Sequence, residues 1–290
     1  MKESKELLTY VQRFFQEHLR AHRGMSPNTV FAYRDAMKLF ILFLARHMGR
    51  DPRRLSLDHV HADAVLAFLE DIETRGNSVA TRNLRLSALR TFFSYLAVQD
   101  PLRAGQCQRV VAIPLKQWPR PLIGYLEVEE VKAILESINR TSALGKRDYA
   151  LISVLYNTGA RVQEICDLQT EDVWQSPPLV VLTGKGRRTR QVPLWPQTAS
   201  LLAKYMKGRN PREKVFLNAR GASLTRLGVY HIIKTRAKAA AGACPSLAKK
   251  KISPHMFRHT TAMHLLQSGV ELTVIKSWLG HVHVATTHAY

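Results

Sequence analysis

The chain has 290 residues and a formal net charge of +21, from 43 Lys and Arg against 22 Asp and Glu. Hydrophobic residues make up 46%, which excludes wholesale disorder and is enough for two compact domains. So large a positive charge repels itself, and the closely spaced phosphates of nucleic acid are the partner that it favours. A ribosomal or membrane-surface protein is the alternative that composition leaves open.

Neither a secretory leader nor a membrane span is predicted. Residues 1–4 include an early acid and do not begin the apolar core of a signal peptide. No apolar run approaches the roughly 18 residues that a spanning helix needs. Cys107, Cys166 and Cys244 are far apart and without CxxC spacing, so we expect buried or incidental thiols in a reducing cytoplasm rather than disulfides or a zinc site.

Residues 1–105 are predicted to form an all-helical domain. Their apolar residues recur every three or four positions, and Ser26 followed by Pro27 predicts a cap and a first-turn proline. Arg82 and Arg85 share a face of the fourth helix that would fit a DNA major groove, with a solvated surface as the alternative. The predicted helices cover residues 6–22, 27–44 and 60–74, and the stretch from Ser78 to Leu96.

Residues 106–122 are rich in proline and are predicted to be an extended interdomain linker. Residues 123–290 are predicted to be a second, mixed domain. There, two short β runs at 179–182 and 190–194 flank a glycine-rich turn, which predicts a hairpin. Further helices are predicted over residues 127–138, 147–157, 196–206, 224–240, 253–268 and 271–279. The predicted fold is therefore mostly α with a small β-sheet or hairpin.

Lys185 lies at the tip of the predicted hairpin, between Gly184 and Gly186, and further arginines follow directly. Glycines at such a tip let the backbone turn tightly and approach a ligand. Taken alone, the motif fits a basic surface loop. Beside a DNA strand, however, the same lysine can donate a proton to a leaving 5′ oxygen.

His255 and Arg258 follow Ser253–Pro254, which predicts the capped start of a helix. The free N–H groups of a helix N-terminus favour an anion, and an arginine fork can hold two phosphate oxygens at once. His255 and His259 also have a zinc-like spacing. Because Arg258 lies between them and would repel a cation, and because the sequence offers no obvious magnesium-binding carboxylates, we predict neither a metal nor a cofactor.

Arg161 and Glu164 lie three apart on a helix predicted to follow Gly159, a spacing that predicts an ion pair. Such a pair, if buried, would let Glu164 orient Arg161 while Arg161 holds a phosphate. His281 follows a predicted helix stop at Gly280 and, taken alone, fits a C-terminal capping histidine.

Together these segments resemble the tyrosine recombinase (phage integrase) family, close in layout to the Xer-type recombinases. The resemblance covers most of the chain and implies a helical SAM-like core-binding domain, a linker and a mixed α/β catalytic domain. Six candidate catalytic positions carry it: Arg161, Lys185, His255, Arg258, His281 and Tyr290. They lie, in the family's order and spacing, in the motifs Thr158-Gly159-Ala160-Arg161-x-x-Glu164, Thr183-Gly184-Lys185-Gly186, His255-x-x-Arg258, Leu279-Gly280-His281 and Tyr290.

The resemblance implies that Tyr290 attacks the scissile phosphate of DNA, forms a 3′-phosphotyrosyl link and frees a 5′ hydroxyl. It also implies that Arg161 and Arg258 hold the non-bridging oxygens. Because the link conserves the bond energy, rejoining needs neither ATP nor metal. The remaining implied roles are general acid for Lys185, proton movement at the nucleophile for His255 and a hydrogen bond to the phosphate for His281.

The resemblance further implies a homo-tetramer on double-stranded DNA at specific recombination sites, as in the integrase of a mobile element. Family members generally continue past the nucleophile into a helix that docks on a neighbouring subunit, whereas this sequence ends at Tyr290. We therefore expect weakened assembly, and a DNA-binding remnant without strand exchange is the alternative function. A type IB topoisomerase-like enzyme is a third interpretation, which the Xer-like spacing disfavours.

Overall fold

A computed structural model describes residues 3–118, 124–184 and 188–280. Three predicted site residues, Lys185, His281 and Tyr290, lie outside this part of the chain. The polypeptide divides into two compact units, Met1–Arg120 and Pro121–Tyr290, and each has its own hydrophobic core. Helices dominate both, and the second unit adds a small antiparallel sheet, as the sequence predicts.

The described part of the N-terminal unit is helical. Ser26 caps the second helix by accepting the N–H of Thr29 at 3.3 Å, with Pro27 in the first turn, which confirms the predicted start. The helices are α1 (Glu3–Arg13), which continues as the π-helical Phe14–His22, α2 (Pro27–His47), α3 (Ala62–Thr74), α4 (Val79–Gln99) and α5 (Ala104–Ala112), with 3₁₀ turns at Pro52–Arg54, Leu57–His59 and Pro101–Arg103.

Aromatic rings fill the core of this unit. Phe14 meets Phe92 edge to face with 5.3 Å between the ring centroids, and Phe40 lies 5.4 Å from Phe68. All four side chains are almost fully buried. Burial of each stabilises the fold by roughly 1.5–3 kcal/mol relative to exposure, so α2, α3 and α4 are held on one shared core.

The prediction of an extended linker over residues 106–122 is wrong at its N-terminal end. Its first residues belong to the helix α5 and are not extended. Cys107 and Val110, three positions apart on α5, are fully buried against the helical core. This packing stabilises a helix that is too short to show a clear periodicity in the sequence. The extended chain begins only after Ile113.

Arg82 does not present its side chain to solvent, as a DNA-contacting face would require, and is only 8% exposed. Its Nη1 donates to the carbonyl of Pro114 at 3.2 Å and to Asn83 Oδ1 at 3.0 Å. The Asn83 amide donates to the carbonyl of Lys116 at 2.7 Å and accepts that residue's N–H at 3.0 Å. These two side chains therefore fasten residues 114–116 to α4.

The C-terminal unit combines helices with the sheet. Its helices are α6 (Val128–Glu136), α7 (Ala143–Thr158), α8 (Val162–Asp167), α9 (Pro196–Tyr205), α10 (Arg226–Ala240), α11 (Pro254–Gln267) and α12 (Leu272–Leu279), with 3₁₀ turns at Thr170–Asp172 and Pro245–Lys249. Its strands are β1 (Val173–Gln175), β2 (Pro178–Thr183) and β3 (Thr189–Pro193).

The described strands pair antiparallel in the order β1-β2-β3. Val180 faces Val173 on one side and Val192 on the other, and these three side chains are buried in the core. The predicted hairpin is β2–β3. The strand β1 was not predicted, because three residues are too few to show the alternation of apolar and polar residues that is typical of a strand. In the described ranges, no helix combines the length and the apolar character that crossing a membrane would need.

Two glycines end helices at the positions that matter for the site. Gly159 follows α7 at φ 58° and Gly280 follows α12 at φ 66°, a left-handed conformation that other residues rarely adopt. A Cβ on Gly159 would lie 2.6 Å from Leu279 Cδ2. The end of α12 is therefore packed directly against the turn that precedes Arg161.

Candidate active site

Arg161 lies at the N-terminal end of α8, immediately after the left-handed turn at Gly159–Ala160. Its backbone N–H donates to Glu164 Oε2 at 2.8 Å, and its Nη1 donates to Oε1 of the same carboxylate at 2.9 Å. The predicted ion pair is confirmed. Glu164 is buried, whereas the Arg161 side chain is 42% exposed, so the pair orients a cation at the surface.

A second arginine, Arg190 on β3, contacts the same carboxylate. Its two terminal nitrogens donate to Glu164 Oε1 and Oε2, both at 2.8 Å, and its Nε donates to the carbonyl of Trp278 at 2.9 Å. Burial acts to raise the pKa of Glu164. The hydrogen bonds and charge of Arg190, followed by the bonds from Arg161, outweigh that effect and lower its pKa below the ordinary value.

Arg258 lies on the first turns of α11, which begins as predicted. Ser253 caps the helix by accepting the N–H of Met256 at 3.3 Å, and Pro254 is its first residue. Arg258 itself is only 2% exposed. Its Nη1 donates to the carbonyl of Gly159 at 2.8 Å and its Nη2 to that of Leu279 at 2.5 Å, which joins the ends of α7 and α12.

Arg161 and Arg258 meet at the end of α12. Arg161 Nη2 donates to the carbonyl of Gly280 at 3.1 Å, one residue beyond the Leu279 carbonyl that Arg258 uses. The structure therefore brings the two predicted arginines together on consecutive carbonyl groups. His281, the next residue in the chain, is outside the described part.

The described end of the β2–β3 pairing reaches the same place. Gly184 donates its N–H to the carbonyl of Arg188 at 2.8 Å, next to the paired residues Thr183 and Thr189. A Cβ built on Gly184 would lie 3.1 Å from Glu164 Oε1 and 3.6 Å from Arg161 Nη1. A side chain at this position would crowd the ion pair, so glycine lets the hairpin approach it. Lys185 follows directly in the chain and lies outside the described residues.

His255 lies one turn before Arg258 on α11. Its ring meets that of His259 in a T-shaped contact with 4.2 Å between centroids. Partial burial of the imidazole, followed by the positive charges of Arg258 and Arg161, lowers the pKa of His255. Burial and the two arginines therefore disfavour the charged imidazolium form of His255.

Over ranges 3–118, 124–184 and 188–280, no three His, Cys, Asp or Glu side chains are grouped so that they could hold a metal ion. The zinc-like spacing of His255 and His259 is thus not completed by a third described ligand.

Comparison with known proteins agrees with this architecture. Residues 124–290 match the phage integrase family, and residues 12–100 match the phage integrase N-terminal SAM-like domain. A protein of Sinorhizobium fredii named as an integrase/recombinase, y4rC, is 37% identical over 100% of this chain and 89% of its own length. The tyrosine recombinase XerC of Pelobacter propionicus is 31% identical over 96% of this chain and 89% of its own.

Among solved structures, the XerH site-specific recombinase bound to its difH substrate in a pre-cleavage complex superposes with a TM-score of 0.71. It is 25% identical, and the match covers 92% of this chain and 77% of XerH. The resemblance in the motifs is thereby confirmed at the level of family and fold. This chain belongs to the phage integrase family of tyrosine recombinases, the enzymes of site-specific DNA cleavage and rejoining.

Proposed function

We infer that this recombinase cuts and rejoins duplex DNA through a transient 3′-phosphotyrosyl link at Tyr290, without ATP or a metal ion. The observation that supports this most strongly is the meeting of Arg161 and Arg258 at Leu279 and Gly280. Two guanidinium groups held at consecutive carbonyl groups supply the paired positive charge that one phosphodiester requires.

The two arginines contribute differently to such a site. The half-exposed Arg161 can meet a phosphate that arrives from solvent. Arg258 is buried, where low polarity makes its charge act over a longer range than in water. Attack on the phosphorus adds negative charge to the non-bridging oxygens, so donors fixed beforehand stabilise the transition state more than the ground state.

Three proposed catalytic residues lie outside the described ranges, and their places in the chain support their roles. Lys185 follows Gly184, which lies against Arg161 and Glu164, and His281 follows Gly280, whose carbonyl accepts a bond from Arg161. Tyr290 is nine residues beyond His281. Nine residues span up to about 30 Å when extended, which is ample for a return to the phosphate.

The proposed step exchanges one phosphodiester for another. The Tyr290 oxygen forms a bond to phosphorus as the bond from phosphorus to the 5′ oxygen breaks. The phenolic proton passes to His255, whose lowered pKa keeps it neutral near pH 7, and Lys185 protonates the leaving 5′ oxygen. His281 donates a hydrogen bond to the phosphate. Since the new bond retains the energy of the old one, reversal rejoins the strand.

The proposed partner is duplex DNA at specific recombination sites, in a tetramer of this chain. The net charge of +21 supports a polyanionic partner, because neutralised phosphates release their counterions. The structurally similar XerH was solved on its difH substrate. Tetramer formation rests on the family resemblance, and its direct measurement is light scattering of the complex with a defined site.

A nicked suicide substrate tests this function. The preferred site is first selected from a random duplex library. A nick near the cleavage point then lets the short released fragment, which carries the free 5′ hydroxyl, diffuse away, and this loss traps the adduct. We expect the wild type to form an SDS-resistant protein–DNA adduct in EDTA and without ATP. Tyr290→Phe should bind the site within a few-fold of wild type and form no adduct.

Each other outcome points to one of the competing interpretations. Site-specific binding by a wild type that forms no adduct would support the DNA-binding remnant. Relaxation of a supercoiled plasmid that lacks the site, by monomeric protein, would support the topoisomerase-like enzyme. An adduct that survives in Tyr290→Phe would move the nucleophile to another residue and contradict the proposal.

A further inference from the structure

The side chain of Arg190 turns into the protein. Side chains alternate across a strand, and Arg190 lies two residues before the buried Val192 on β3, on the same face. Its side chain is 11% exposed and binds the Glu164 carboxylate with both terminal nitrogens. So complete an engagement excludes the role of a general surface charge for DNA.

The carboxylate that Arg190 binds is the one that holds Arg161. Glu164 is buried and lies between two guanidinium groups, one of which reaches solvent and one of which does not. An Arg161–Glu164 pair on its own would be neutral overall and would attract a phosphate weakly. With Arg190 present, the three side chains carry one net positive charge, and the exposed end of that charge is Arg161.

Arg190 also supports the segment that leads to His281. Its Nε donates to the carbonyl of Trp278, and its side chain passes under Gly280. A Cβ added to that glycine would lie 2.9 Å from Arg190 Cδ and 3.2 Å from its Nη1. Gly280 and Arg161 are themselves joined by a hydrogen bond, so Arg190 holds two neighbours of the proposed phosphate position.

We propose that Arg190 is a positioning residue whose charge balances Glu164, so that Arg161 presents a full positive charge to the scissile phosphate. Arg190 acts through Glu164 and does not touch the DNA. This role rests on the proposed function of Arg161. It explains why a buried carboxylate beside a phosphate site does not repel the phosphate, because the positive charge of Arg190 already balances the negative charge of Glu164.

The distinguishing experiment is a double-variant cycle on single-turnover adduct formation with the nicked substrate. Arg190→Met leaves Glu164 to neutralise Arg161, and we expect the rate to fall about 100-fold, close to the loss in Arg161→Ala. Adding Glu164→Gln removes the unmatched charge, so the double variant should react at least about tenfold faster than Arg190→Met. Arg190→Lys, which keeps the charge but not the fork, should fall between wild type and Arg190→Met.

A purely structural role for Arg190 predicts the opposite sign, because a second substitution in the same cluster would then add to the damage. A double variant no faster than Arg190→Met would overturn the proposal. If Arg190→Met does not fold, the double variant still decides, since it leaves no uncompensated carboxylate. Its rate must then exceed that of Arg161→Ala at least about tenfold.

Salt dependence separates this proposal from the proposed function. The slope of log Kd against log salt falls by about 0.9 for each phosphate that the protein no longer neutralises. We expect that decrease in Arg190→Met and in Arg161→Ala, and its reversal in the double variant, even if the wild type forms no adduct. Arg212→Met, which removes an exposed arginine before α10, controls for the removal of one charge. Equal slopes for Arg190→Met and the wild type would contradict the charge-balancing role.

Discussion

Arg161 and Arg258 donate hydrogen bonds to the carbonyl oxygens of two consecutive residues, Gly280 at 3.1 Å and Leu279 at 2.5 Å. Two cations at such a place repel each other unless acceptors offset the charge. Here the carbonyl groups at the end of α12 and the Glu164 carboxylate do so. The arginines are consequently held in position before any DNA binds, which is the condition for strong stabilisation of a transition state.

The two arginines should differ in their effect on stability. Arg258→Ala leaves the carbonyl groups of Gly159 and Leu279 without this donor inside the protein, at a cost of about 1–3 kcal/mol each. Arg161→Ala removes a half-exposed side chain and should change the free energy of unfolding little. Urea denaturation measures this difference in the free energy of unfolding. In the rate of adduct formation, by contrast, both variants should lose about 100-fold or more. A fully stable Arg258→Ala would show that these bonds do not hold the site.

Gly159→Ala should destabilise the end of α12. The substitution costs about 1–2 kcal/mol for the left-handed backbone alone, and its Cβ would lie 2.6 Å from Leu279 Cδ2, which adds about 1–3 kcal/mol of overpacking. Gly208→Ala is the matched control, since Gly208 has φ +79° and nothing within 4 Å of the added carbon. Urea denaturation of both variants isolates the steric part, and equal losses would disprove this packing.

The charge of Glu164 should make stability depend on pH. Because its folded pKa is depressed, the group contributes stability that is fully present above the unfolded carboxyl pKa of about 4.3. That stability is lost as pH falls through the lower folded pKa. Glu164→Gln should therefore be less stable than wild type at pH 7 by about 1–3 kcal/mol, and the gap should narrow towards pH 3.

Urea midpoints at a series of pH values measure this gap. Glu129→Gln, on the exposed surface of α6, controls for the removal of one acid from the chain. A gap between wild type and Glu164→Gln that stays constant from pH 7 to pH 3 would show that the ion-pair cluster does not stabilise the ionised carboxylate.

The arginines should also control the ionisation of His255. Burial lowers the pKa of its imidazole first, and the charges of Arg258 and Arg161 lower it further. Arg161→Ala should therefore move the His255 titration to higher pH, whereas Arg212→Ala should not. The NMR signal of the imidazole Cε1–H, assigned with a His255→Asn variant, reports the midpoint. An unchanged midpoint in Arg161→Ala would separate the histidine from the arginine pair.

Local signals in the sequence predicted the helix ends and the ion pair around the candidate site. Ser253 and Pro254 predicted the start of α11, and the spacing of Arg161 and Glu164 predicted their ion pair, since caps and i, i+3 pairs depend on adjacent residues only. The glycines after α7 and α12 likewise marked the helix ends. Short-range chemistry of this kind can be interpreted without knowledge of the tertiary fold.

What the sequence did not predict depends on contacts between distant segments. Arg190, one of the arginines that follow Lys185, binds the distant Glu164. Its place two residues before the apolar Val192 on a predicted strand is the one local signal that it faces inward. The sequence places Arg82 on a surface face, because its partner Pro114 comes from a stretch predicted as linker. The helix α5 was missed because its stability comes from packing on the core rather than from its own pattern.

The chemical linkage of the trapped adduct tests the account most directly. Nuclease digestion of the adduct, followed by peptide mapping, should find a nucleotide joined through its 3′ phosphate to the C-terminal peptide at Tyr290, with a free 5′ hydroxyl on the released strand. A link through a 5′ phosphate, attachment to another side chain, or strand cleavage without any covalent adduct would contradict the proposal that Tyr290 attacks a phosphate held by Arg161 and Arg258.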